Sequence, residues 1–161
     1  NTGQIVAGNM GSSVRMSYTM MGDAVNTTAR LESGAKQYGI ESQVGEKIYE
    51  ATKDKFVYRH LDHVRVKGKK NPVKTFELIS EKGKEPETYK KLLPLWDKAV
   101  TLYKSQKWDE AIKLFEDCDK LEEVYIGRPT TPSLFFIDRC NEFKLDPPGE
   151  NWDGIYTLKS K

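Results

Sequence analysis

Short apolar runs broken by glycine fill the first half of the chain, and longer stretches with helical periodicity fill the second. Gln4 to Gly11 (QIVAGNMG) reads as a strand ending in a glycine turn, and Val14 to Gly22 (VRMSYTMMG) as a second strand. Gly22-Asp23 ends that strand, and Asp23 is suited to cap the helix expected over 24–38. In this helix Val25, Ala29 and Leu31 fall toward one side, while Asn26, Arg30 and Ser33 share another. Gly39 stops it. A short strand is expected near Ile40 to Val44 and a helix over 45–53. Leu61 to Ile79 reads as a hairpin turning at GKKNP. Its first strand alternates either as Leu61, His63 and Arg65 or as Asp62, Val64 and Val66. Strands mixed with helices in this way predict an α/β or α+β fold, and α+β is the expectation carried forward.

Lys82 to Pro86 (KGKEP) reads as a linker. It divides the expected organisation into residues 1–82 and a helical extension with a turn-rich tail, 83–161. Helices are expected over 87–104 and 108–123, with Lys104 to Lys107 as the turn between them. The spacing of Leu95, Ala99, Leu102, Trp108, Ala111 and Phe115 resembles a tetratricopeptide hairpin in a single copy. Ala99 and Ala111 would let the two helices approach closely. Ser133 to Leu145 forms a further helix, and DPPGENWDG is a rigid, turn-rich tail.

Composition narrows the possible partners. The chain has 161 residues, 37% hydrophobic and 31% charged, which supports a folded core under a well-solvated surface. A net charge of only +2 gives no reason to expect nucleic acid or an anionic membrane as partner. No apolar run approaches membrane-spanning length and no signal peptide is visible, so a cytoplasmic setting is expected. The chain opens on Asn1 rather than Met, as a processed or truncated piece would. Cys118 and Cys140 lack metal-ligand spacing and read as reduced thiols. His60 and His63 have no partners at zinc-ligand spacing.

Few residues suggest chemistry. Asn26 and Arg30, four apart on one helix, read in two ways. They are surface residues, with Arg30 paired to Glu32 or Asp23, or they are donors to a phosphoryl group. Arg has five donors in a planar fork, Asn a neutral amide, and both suit charge that builds on a transferring phosphate. Lys67 and Lys69, in RVKGKK, are either a solvated turn or phosphate ligands at a strand end, where Gly68 lets the backbone come close. The Gly8 to Ser13 turn (GNMGSS) lacks the Gly-Lys-Ser ending of a P-loop. Trp96, Trp108 and Trp152 read as packing residues.

Two stretches then carry a specific resemblance. GQIVAGNMGSSVRMSYTMMGDAVNTTARLESGAKQYG and the later VKGKKNPVKTFEL resemble the class III nucleotide cyclase catalytic domain. The pattern is a Gly-Asn-Met-Gly-Ser turn, then Gly-Asp-x-Val-Asn-x-x-x-Arg-Leu-Glu, then Val-Lys-Gly-Lys. The resemblance implies the C-terminal part only of a ferredoxin-like cyclase domain over about residues 1–80, followed by the helical extension seen after some bacterial adenylate cyclase domains.

For function, the resemblance implies a parent enzyme that converts ATP to 3',5'-cyclic AMP and pyrophosphate. Two catalytic domains pair head to tail, with the sites at the interface, and Mg²⁺ or Mn²⁺ is held by two aspartates. Carried over by motif, Asn26 orients the ribose or its transition state and Arg30 stabilises the pentavalent phosphorus. Lys67 holds the terminal phosphates, and Thr19, three before Gly22, faces the base. A threonine hydroxyl accepts from an adenine amino group or donates to a guanine carbonyl, so a guanylate cyclase stays open. Asp23 belongs to the strand-to-helix turn and is not a metal ligand. The metal aspartates, and the lysine that works with the base-reading residue, are expected upstream and outside this sequence. Ser17 stands where an acid is common, Thr28 where Ala is common, and Gly45 follows Val44 where Ser-Glu is usual. The isolated chain is therefore expected to be inactive. The competing expectation is a non-catalytic protein-interaction module built on a cyclase remnant.

Overall fold

In a computed structural model, the structure describes residues 1–65, 72–123 and 127–157. Two antiparallel strands, β1 (Val6–Gly11) and β2 (Met16–Met21), form a ribbon of their own, with Gly8 opposite Thr19. Its turn depends on Gly11, which has φ 143°. A Cβ there would lie 2.0 Å from the Arg15 carbonyl oxygen, so any side chain would break the turn. Helix α1 (Asp23–Tyr38) follows, then β3 (Gln43–Gly45), α2 (Glu46–Thr52), β4 (Phe56–Arg65) and β5 (Val73–Glu81). After these come α3 (Glu87–Lys104), α4 (Trp108–Asp119), α5 (Pro132–Leu145) and β6 (Tyr156–Thr157).

The second sheet has the order β3-β5-β4-β6. β5 pairs antiparallel with β3 and β4, and β6 returns from the chain's end to lie parallel to β4. Strand β4 does not keep a simple two-residue alternation. An irregularity between His60 and Asp62 shifts its register, so Arg59, Leu61 and Asp62 are all buried. Neither alternation expected for this strand therefore describes it. The expected GKKNP turn falls largely in 66–71, outside the described residues.

Helices α3, α4 and α5 cover the sheet. Trp96 sits at the centre of this layer with no exposed surface. Its ring meets Phe115 and Phe136 edge-on at 5.2 and 5.3 Å. Its indole N–H donates to the His60 carbonyl of β4 at 2.7 Å, which satisfies the one polar group it buries. Ala99 and Ala111 are fully buried where α3 meets α4. At the start of α5, the Thr131 hydroxyl accepts from the Leu134 N–H at 3.1 Å and Pro132 occupies the first turn.

Two expectations about the fold are corrected. The helical part is not a small tetratricopeptide-like hairpin appended after a linker. The three helices lie where the sequence placed them, but one hydrophobic core joins their Leu92, Trp96, Phe115 and Phe136 to Ala35, Tyr38, Ile40 and Leu61 of the first half. The reason lies in Lys82 to Pro86. Backbone bonds from Lys84 N–H to the Glu81 carbonyl and from Lys82 N–H to the Lys55 carbonyl make it a tight turn, and α3 follows it directly. Nor do the strands make the ferredoxin-like part that was expected. Among the described residues β1 and β2 pair only with each other, and β3, β4, β5 and β6 form a separate sheet.

Candidate functional site

The site residues are presented by the passage from β2 into α1. Gly22 joins the two with φ 147°. A Cβ there would crowd the Gln4 carbonyl oxygen at 3.2 Å, so the chain turns at this point on a glycine. Gly22 is itself the N-cap and no side chain caps the helix, which corrects the expected capping role of Asp23. Asp23 lies in the first turn, where its negative charge suits the positive end of the helix dipole.

The buried stripe of α1 is Leu31, Ala35 and Tyr38, spaced four and three apart. Ala29, expected on the core side, is exposed. Asn26 and Arg30 lie one turn apart on the exposed surface of the helix, and neither side chain has a hydrogen bond or ion pair among the described residues. Glu32 accepts from Lys36 at 3.2 Å rather than from Arg30. Thr19 is exposed on β2, and Tyr18, Met20 and Met21 beside it also face solvent. The structure thus brings Asn26 and Arg30 together on one helix and puts Thr19 on the strand that leads into it. Lys67 lies outside the described residues. Among the described residues no group of three His, Cys, Asp or Glu side chains is placed to hold a metal ion.

Two buried polar networks were not singled out by sequence reasoning. In the first, the Arg59 guanidinium donates to Glu77 at 2.6 Å and to Glu122 at 2.7 Å, and it stacks 4.8 Å from the Trp96 ring centre. Arg128 and the Ser133 hydroxyl also reach Glu122, at 3.2 and 3.0 Å. Two arginines and two glutamates make this group neutral as a whole. Burial alone would lower the Arg59 pKa. The Glu77 and Glu122 carboxylates outweigh that and hold it above the ordinary value. In the second network, Asp62 accepts from the Tyr38 hydroxyl at 2.7 Å and from the Arg139 guanidinium. Burial, then the Asp62 carboxylate, push the Tyr38 phenol well up. The sequence signal was the charge inside the apolar strand YRHLD, but which of its residues turn inward follows from the shift in β4.

Comparison with known proteins gives this geometry a family likeness. Residues 1–80 match the family described as Adenylate and Guanylate cyclase catalytic domain. Those residues are similar to the class III cyclase catalytic domain. The match lies on the N-terminal half of this chain, and it replaces the expectation that the resemblance is to a C-terminal half-domain only. The terminal-differentiation specific adenylate cyclase of Dictyostelium discoideum is 34% identical over 144 residues, 87% of this chain and 6% of that protein. An alignment of that length reaches past the cyclase segment into the helical layer. An adenylate cyclase of Mycobacterium tuberculosis is 42% identical over 96 residues, 54% of this chain and 21% of that protein. Among solved structures, the adenylyl cyclase CyaB from P. aeruginosa aligns over 51% of this chain and 41% of its own, at 28% identity and a TM-score of 0.41. The chain thus spans a small part of these curated relatives. Among the described residues no helix is long and apolar enough to cross a membrane.

Proposed function

We propose that this chain is part of an adenylate cyclase that converts ATP to 3',5'-cyclic AMP and pyrophosphate at an interface between two catalytic domains. The observation that carries this reading is the pair Asn26 and Arg30, set on the exposed surface of α1 inside a cyclase-family segment with no partner among the described residues. In the reaction the ribose 3'-hydroxyl gives up its proton and bonds to the α-phosphorus. The bond from that phosphorus to the β-phosphate's bridging oxygen breaks, and pyrophosphate leaves. Arg30 donates to the oxygens of the five-coordinate phosphorus, where charge accumulates. Asn26 orients the ribose, and Lys67 holds the terminal phosphates. Thr19 accepts from the adenine amino group. Turnover of GTP in place of ATP would reassign Thr19 as a donor to guanine.

Family resemblance implies Mg²⁺ or Mn²⁺ in the intact enzyme. Among the described residues no group of three or more His, Cys, Asp or Glu side chains is placed to hold such an ion, and no residue of this chain is assigned to it. The donors also lie on an open surface. At 4 Å two unit charges attract by about 1 kcal/mol in water and by about 4 kcal/mol in a partly closed site, so Arg30 needs a second wall to act strongly. The isolated chain is accordingly expected to make no cyclic AMP from ATP with Mg²⁺ or Mn²⁺. Turnover by the purified chain, abolished by Arg30→Ala, would refute that.

A further inference from the structure

We infer that the α3–α5 layer is a positioning device for helix α1, with Tyr38 and Arg128 as positioning residues for Arg30; this rests on the cyclase reading above. Every buried side chain of α1 lies on the C-terminal side of Arg30. The half of the helix that carries Asn26 and Arg30 has no buried side chain and is touched only lightly, by the Asn1 amide donating to the Ala24 carbonyl at 3.0 Å, so its direction depends strongly on how its other end, the buried half from Leu31 to Tyr38, is held. That end is held by the helical layer in three ways. The Tyr38 hydroxyl donates to Asp62, which Arg139 of α5 also grips. The Tyr38 ring packs on Phe135 and Phe136 of α5 at 4.6 and 6.4 Å. Arg128 donates from Nε to the Gly39 carbonyl at 2.7 Å, and Gly39 lies so close to the same loop that a Cβ would sit 1.9 Å from the Thr130 oxygen.

Tyr38 is eight residues beyond Arg30, about 12 Å along the helix at 1.5 Å per residue. A tilt of roughly 10° at the Tyr38 end, with the buried Leu31 and Ala35 shifting along with the helix, would carry Arg30 through up to about 2 Å, and a misplacement of about 1 Å can cost about a hundredfold in rate. The layer's contacts thus bear on catalysis without touching substrate.

The test compares Tyr38→Phe with wild type in two ways. Tyr38→Phe keeps the ring and removes one hydroxyl, so the fold is retained. In the 161-residue chain, hydrogen exchange is expected to quicken about tenfold or more over 27–38 while β4 and β5 keep their protection. In the intact enzyme kcat is expected to fall about 10- to 100-fold with KM for ATP changed by less than about twofold, because a group that acts only in the transition state is displaced. Unchanged exchange in α1 overturns the inference, as does faster exchange with unchanged kcat. Equal loss of protection in β4 and β5 also overturns it, since the contacts would then serve general stability. Full activity in Arg30→Ala would overturn the cyclase reading itself, and the exchange data would still report whether the layer holds the helix.

Discussion

Replacing Arg59 by Met tests the energetics of the seam between sheet and helices. Arg59 has no exposed surface, and it contributes one of the two positive charges that balance Glu77 and Glu122. Methionine fills a similar apolar volume and keeps contact with Trp96. What it removes is the donor set, which leaves Glu77 without its partner and Glu122 with Arg128 and Ser133. Truncating one partner of a buried ion pair typically costs about 3–5 kcal/mol, because the other charge stays out of water unpaired. Domains of this size are stable by about 5–15 kcal/mol, so the loss should be a large share of the total. The deficit also has a pH signature. Burial already holds the Glu77 carboxyl above its ordinary value although Arg59 pulls it down; without Arg59 it rises further, so over a wider pH range the folded state holds a proton that the unfolded state has lost. The variant therefore weakens relative to wild type as pH rises from about 4 toward neutrality. Urea unfolding followed by tryptophan fluorescence at pH 4.5 and 7 measures both effects. Loss below about 1 kcal/mol at pH 7, the range of exposed pairs, would refute the reasoning.

Other outcomes follow from the same structure. Burial lowers the His60 pKa to about 4, so His60 is neutral in the fold and charges on unfolding. Its contribution is present above its unfolded pKa of about 6.5 and is lost as pH falls through 4, by about 3 kcal/mol; a His60→Gln variant should lack that part of the pH profile of stability. Trp96→Ala should cost about 3–5 kcal/mol in the same unfolding assay, since it empties the centre of the core. Burial pushes the Cys118 and Cys140 thiols up to about 12, so a thiol reagent at pH 8 should label neither in the native chain and both after denaturation.

The sequence showed its elements where local signals agree. Glycines at 22 and 39 bracket α1, and the 87–104 helix was expected with the bounds it has. Apolar periodicity on α3 and α4 identified Ala99, Ala111 and Phe115. Long-range consequences were not legible. The β4 shift that turns both Arg59 and Asp62 inward depends on the pairing with β5, and the return of β6 to the sheet depends on the packing of α5. The linker composition of Lys82 to Pro86 suggested separation, yet five residues folded as a turn bring the helices onto the sheet. On the site, spacing placed Asn26 and Arg30 on one helix surface. It could not show that the far end of this helix is gripped by α5 and the Arg128 loop.

Arg30 is proposed as a transition-state donor of a cyclase. Cyclic AMP production by the intact enzyme, wild type against Arg30→Ala, tests it most directly. Removing one such donor should lower kcat about 10²–10³-fold, with the thermal midpoint unchanged because Arg30 is exposed and unpaired among the described residues. An Arg30→Ala enzyme that makes cyclic AMP at the wild-type rate would contradict it.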